Sequence, residues 1–212
     1  MNSDAILTAK LKAIGFRLWG DAKKLDGFVD IERTLHEAAL GSAIDGRLFS
    51  LLCTWVSVHG DKVVIEKLMK LQKKENASWL VAVVVFAENK GLHKWKRLLR
   101  KQKQELFFVS LESAMSQIAR KGEIAGMREQ NIFIAQNEIR IREDDVLSSK
   151  QLAKFNRQYR NRFLYGACVR ADVITAIEQG TPNPYQIAKI VGCSQGPAYR
   201  IMKEYQLAIE AA

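Results

Sequence analysis

Near the end of the chain, Ser194, Gln195, Gly196, Tyr199, Arg200 and Lys203 recur at the three- and four-residue spacing that gathers positions on one face of a helix. An amide, a phenol, a guanidinium and an ammonium shown together carry the donors and acceptors that base edges and phosphates in a DNA major groove require. Upstream, Lys150, Lys154 and Arg157 form a separate cationic stripe at helical spacing, suited to backbone phosphates. These are the candidate DNA-binding residues. The residues do not point to catalysis. His36, His59 and His93 are scattered, and His59-Gly60-Asp61 reads as a helix-ending turn. The sequence contains no HExxH, no cysteine pair at metal spacing, no GxxxxGK[ST] phosphate loop, no GxGxxG after a strand and no GxSxG. Glu143-Asp144-Asp145 reads as a solvated turn rather than a cation site. The expectation is a non-enzymatic protein with no catalytic residue, metal or cofactor.

The candidate face needs a frame, and residues 184–205 (PYQIAKIVGCSQGPAYRIMKEY) supply one as two short helices joined by a tight turn. Ile187, Ala188 and Val191 fall on one face of the first helix, and Ala198 and Ile201 on one face of the second. Ala188 is small enough to let the helices approach. Gly192, four residues on, can take the positive φ that a sharp turn needs. Ser194 is placed to cap the second helix, and Pro197 falls in its first turn, where a missing N–H costs little. Two packed helices with a glycine turn also occur in proteins that never touch DNA. The pattern nonetheless resembles the bacterial helix-turn-helix family of DNA-binding regulators, with Ile187, Ala188, Gly192, Val191, Ala198 and Ile201 at the family's positions. That resemblance implies that the second helix reads the major groove.

The preceding run, NRFLYGACVRADVITAIEQG, is similar to the lead-in of one such regulator family, in which an arginine-aromatic-Leu-aromatic-Gly run enters the first helix of the module. Arg162, Phe163, Leu164, Tyr165, Gly166, Arg170 and Asp172 carry the likeness. Val173, Ile174 and Ile177 are then expected to close a three-helix core under Ile187, Val191 and Ile201. Family members of the winged kind continue into a two-stranded wing. Here seven residues follow Tyr205, so the wing is expected to be truncated or missing.

The whole chain supports an anionic partner. Its 212 residues are 48% hydrophobic, enough for a substantial core, and its formal net charge is +10. Nucleic acid is the first candidate and an acidic membrane surface the second. The N-terminus lacks the apolar run of a signal peptide, and the most apolar window, 79–87 (WLVAVVVFA), is too short to cross a bilayer, so a cytoplasmic protein is expected. Cys53, Cys168 and Cys193 read as reduced thiols, with a Cys168–Cys193 redox pair as the lesser alternative.

Ahead of the module the periodicity is mainly helical. Ile6, Leu7, Leu11, Ile14 and Leu18 mark a helix over 3–25, bent around Gly15 or Gly20, with a turn at Asp26-Gly27. A second helix is expected over 30–40. Residues 48–68 match 79–99 at an offset of 31, pairing Leu48 with Trp79, Leu52 with Val83, Trp55 with Phe86, Gly60 with Gly91 and Leu68 with Leu99, as two helical hairpins would. A helix over 92–104 is expected to carry Lys94, Lys96, Arg97, Arg100, Lys101 and Lys103. After a strand or helix start at 106–109, Ile132, Ile134, Ile139 and Ile141 alternate about Gln136-Asn137, which predicts a small β-hairpin covering the core. One helix is expected over 149–165.

The fold class expected is therefore mainly α: an N-terminal helical array at 1–104, a helix plus β-hairpin connector at 105–147, and a three-helix helix-turn-helix module at 148–212. The function expected is a DNA-binding transcriptional regulator, dimeric on double-stranded DNA, whose N-terminal domain self-associates or senses a partner or effector. An antitoxin-like or adaptor protein, gripping another protein through its helical domain, is the alternative.

Overall fold

The structure is a computed structural model, and the description covers residues 3–19, 25, 27–43 and 45–210. The chain is mainly helical, with no sheet among the described residues. The helices are α1 (Ser3–Ala13), α2 (Ile31–Gly41), α3 (Gly46–His59), α4 (Ile65–Lys74), α5 (Ser78–Asn89), α6 (Leu111–Lys121), α7 (Ser149–Phe155), α8 (Arg157–Tyr165), α9 (Val169–Glu178), α10 (Pro184–Val191) and α11 (Gln195–Glu210). Most starts follow from local chemistry: Asp30, Asp45, Ser110, Ser148, Asn156 and Asn183 each accept a bond from a backbone N–H of the first turn of α2, α3, α6, α7, α8 and α10.

Every residue of α5 from Trp79 to Ala87 is buried, which is how a helix apolar on all sides must sit. α2, α3 and the 3₁₀ segment His93–Leu98 pack around it, and Trp55 and Trp95 lie fully inside. Their indole N–H groups are satisfied by the carbonyls of Ile14 at 2.7 Å and Gly60 at 3.0 Å. A second, smaller core joins Val173, Ile174 and Ala176 of α9 to Ile187, Ala188 and Val191 of α10 and Ala198 and Ile201 of α11, with Ile177 packed against it. Leu152 of α7 and Tyr159 of α8 belong to the first core, so the two cores meet across α8 and α9.

Several expected elements take another form. The first helix stops at Ala13, and Gly15 at φ +102 turns the chain under Leu152. Gly20 and Asp26 lie outside the described residues. The β-hairpin does not form. Residues 139–142 instead run along α3, where the N–H groups of Arg140 and Arg142 each reach a hydroxyl, of Ser50 and Thr54 respectively, at 3.4 Å. Two residues of extended chain advance about 7 Å and four residues of helix about 6 Å, so the partners fall in register. Ile132 and Ile134 are buried, and Ile139 and Ile141 pack on the core.

The expected helix over 92–104 reduces to His93–Leu98. Lys94 donates to the carbonyls of Asp61 and Val63 at its start, and the Gln102 carbonyl accepts from Asn131 at 2.7 Å further on, which holds the chain out of helix. The two hairpins therefore match in their first helices only. Residues 106–109 lie outside any helix and touch Ile132 through one isolated bridge at Leu106. The helix expected over 149–165 is two, because Asn156 is extended and spends its side chain capping α8 and bonding the Ala13 carbonyl at 2.8 Å.

Candidate nucleic-acid interface

α10 ends at Gly192, whose φ of +75 and ψ of +31 lie in the left-handed region, and its N–H returns to the Ala188 carbonyl at 2.9 Å. The chain reverses through Cys193 and Ser194 into α11. Ala198 and Ile201 then face the small core, which turns Gln195, Gly196, Tyr199, Arg200 and Lys203 outward, all exposed, with Ser194 exposed beside them. No hydrogen bond or ion pair engages the side chains of Gln195, Tyr199, Arg200 or Lys203 among the described residues. On the flank of α11, Glu204 is ion-paired with Arg170 of α9.

The upstream cationic stripe is divided by the break at Asn156. Lys150 and Lys154 line an apolar-floored groove with Ala153, Arg160 and Phe163. Arg157 is not among the residues lining that groove; it donates to the Glu178 carbonyl at the end of α9 at 2.6 Å.

What holds the C-terminal helices on the array is a buried ionic cluster. Arg162, fully buried on α8, uses all five of its N–H donors: two on Glu32 at 2.6 and 2.8 Å, two on Asp172 at 3.0 Å, and one on the Lys62 carbonyl at 2.9 Å. Lys67 of α4 donates to Asp30 and to Asp172, the latter at 2.7 Å, and lies 3.4 Å from Glu32. Gln158 bridges the rest: its amide donates to Asp172 at 3.0 Å, and its carbonyl accepts from the otherwise orphaned Ile31 N–H at the start of α2.

Burial opposes the charges of Glu32, Lys67 and Arg162, and for these three the pairing decides the outcome. Burial alone would raise the Glu32 carboxyl, but Arg162 and Lys67 hold it down to about 2. Burial would likewise lower Lys67 and Arg162, and the carboxylates around them push both upward instead. Asp30, at the edge, is pushed up by burial and by Glu32. The oxygens of Asp30, Glu32 and Asp172 lie close enough to ligate a metal, but the Lys67 ammonium and the Arg162 guanidinium already lie among them and satisfy those oxygens.

His59, read from sequence as part of a turn, is buried. Its Nε2–H donates to the Leu147 carbonyl at 2.9 Å, which leaves Nδ1 to accept from the Tyr159 hydroxyl at 2.6 Å, and Ser149 in turn donates to Tyr159. Burial drives His59 down to about 4 and Tyr159 up to about 12, so both stay neutral near pH 7. Cys53, Cys168 and Cys193 are free thiols.

Arg162 and Asp172 stood out in the sequence through the family likeness, but their array partners did not. Glu32 and Asp30 look like ordinary first-turn acids of a helix, and Lys67 like a surface lysine, so nothing local marks them. Comparison with protein-family models, with curated proteins and with solved structures finds no match to this chain. No described helix is long and apolar enough to cross a membrane.

Proposed function

We propose that the chain is a DNA-binding transcriptional regulator in which α10, the Gly192 turn and α11 act as a helix-turn-helix and α11 enters the major groove. The observation that carries this reading is the outer face of α11, where Gln195, Tyr199, Arg200 and Lys203 are exposed and unengaged while the opposite face is anchored in a core. Arg200 has the fork to pair with a guanine edge, Gln195 the amide to pair with adenine, and Lys203 the point charge for a phosphate. α11 runs to Glu210 as one helix of 16 residues. The buried ionic cluster fixes α9 against α2 and α4, so the array sets the direction in which α11 points.

A single reading helix specifies few bases, so the reading includes a homodimer on half-sites about 34–36 Å apart. Selection of bound fragments from sheared genomic DNA tests it, with light scattering of the free and bound protein. Enrichment of one inverted repeat by a two-to-one complex is expected, and recovery of no duplex above background contradicts the reading.

A second reading is favoured by one feature. Phe163, Leu164 and Tyr165 are 49%, 69% and 44% exposed, an apolar run on the outside of α8 that suits contact with another protein. On that reading the chain is an antitoxin-like or adaptor protein. A stoichiometric protein complex that persists without DNA, from a chain that binds no duplex, would favour it.

A further inference from the structure

α4 stands between the 3₁₀ segment His93–Leu98 and the turn that opens α11. Glu66 and Lys70 are four residues apart, so they share a face and lie about 6 Å apart along the axis. On one side Arg97, from the 3₁₀ segment that also exposes Lys96, pairs with Glu66 at 2.5 Å. On the other side the Lys70 ammonium donates to the Gly192 carbonyl at 3.1 Å, in the turn that opens α11. The exposed surface of α4 continues through Lys73 and Lys74, neither of which has a hydrogen bond or ion pair among the described residues. Lys70 keeps two donors free after its bond to Gly192, and a neutral carbonyl leaves its charge uncompensated.

We propose that α4 is a second, sequence-independent DNA contact, in which Lys70, Lys73 and Lys74 neutralise backbone phosphates while α11 reads the bases. The inference rests on α11 as the reading helix. A helix lying in a major groove has a phosphate backbone on each wall, and each strand carries a charge every ~3.4 Å of axis. A cationic row that begins at the turn leading into that helix is placed to meet the nearer wall. Lysine is suited to the task, since a flexible point charge follows a backbone without demanding a base. The row also gives the array a direct part in binding: it carries phosphate contacts as well as holding the module.

The test is the full-length chain with Lys70→Ala, Lys73→Ala and Lys74→Ala combined, measured on its preferred duplex and on a random duplex between 50 and 200 mM salt. Alanine favours helix, and the three positions are exposed, so circular dichroism and urea unfolding should match the parent. The expected result is an equal loss of affinity on both duplexes, with the log-log salt slope shallower by about 2 to 3. The discrimination ratio should stay unchanged. Arg120→Ala with Lys121→Ala, exposed on α6, removes two positive charges from a different helix and should leave the slope alone. An unchanged slope in the triple variant, or an equal change in the α6 pair, overturns the α4 contact. A parent chain that binds while only Arg200→Ala weakens it removes α4 and leaves α11 as the reader; a parent chain that binds no duplex removes both.

Discussion

Arg162 and Glu32 meet through two bonds of 2.6 and 2.8 Å although 130 residues separate them in the chain. The same guanidinium holds Asp172, so one side chain ties the start of α2 to α9. Removing a partner from a buried pair strands the charge left behind, at a typical cost of about 3–5 kcal/mol. Arg162→Ala is therefore expected to destabilise the chain by that amount in urea unfolding followed by tryptophan fluorescence. Adding Glu32→Gln should recover part of the loss, with a coupling of about 0.5–3 kcal/mol in the double-mutant cycle. Additive losses would show that the two side chains act independently.

The buried His59 makes stability depend on pH in a definite direction. Its folded value is about 4 and its ordinary value 6.5, so between them the unfolded chain binds a proton that the folded chain excludes. The contribution is complete above pH 6.5 and is lost as pH falls toward 4. It amounts to about 2 kcal/mol between pH 7 and pH 5. Urea midpoints of the parent and of His59→Gln should converge across that range, and a constant gap between them would contradict the assignment.

Gly192 carries the turn by backbone conformation rather than by close packing. A Cβ built there meets nothing within 4 Å, so alanine would pay only the left-handed strain of about 1–2 kcal/mol. Gly192→Asn should cost less, because asparagine tolerates that region. Thermal or urea unfolding of the two variants gives the order, and equal losses would point to a steric role instead.

Substitution of Arg200 distinguishes base reading from phosphate contact in the proposed interface. Arg200→Ala is expected to weaken the preferred duplex by about 1–3 kcal/mol and to relax discrimination at one base pair. Equal weakening on random duplexes would reassign Arg200 to the backbone. Competition titrations with single-base variants of the preferred site read the difference.

The small core was legible because its residues are local: Ile187, Ala188, Val191, Ala198 and Ile201 lie within fifteen residues, and helical periodicity places them on facing sides. The same holds for the outer face of α11. The β-hairpin over 132–142 failed because alternating isoleucines satisfy any extended chain with one buried side, and Ser50 and Thr54 of α3 offered the partners that a second strand would have supplied. The 92–104 helix failed for a related reason: the Lys94 ammonium is held by the Val63 carbonyl and the Gln102 carbonyl by the Asn131 side chain, both distant in sequence. The ionic cluster was illegible because its members come from α2, α4, α8 and α9, and no single-sequence pattern records that Lys67 points inward. The face of α4 that follows from it, with Lys70 at the Gly192 carbonyl, was hidden for the same reason.

Fluorescence anisotropy of a labelled duplex measures whether α11 reads duplex DNA as proposed. The duplex, chosen by selection from genomic fragments, is titrated with the full chain at several salt concentrations beside a random duplex of equal length. If α11 reads bases in the groove, log affinity falls linearly with log salt and the selected site is bound at least about 10³-fold more tightly than the random one. Affinity that is absent at low salt, or equal for the two duplexes, would contradict it.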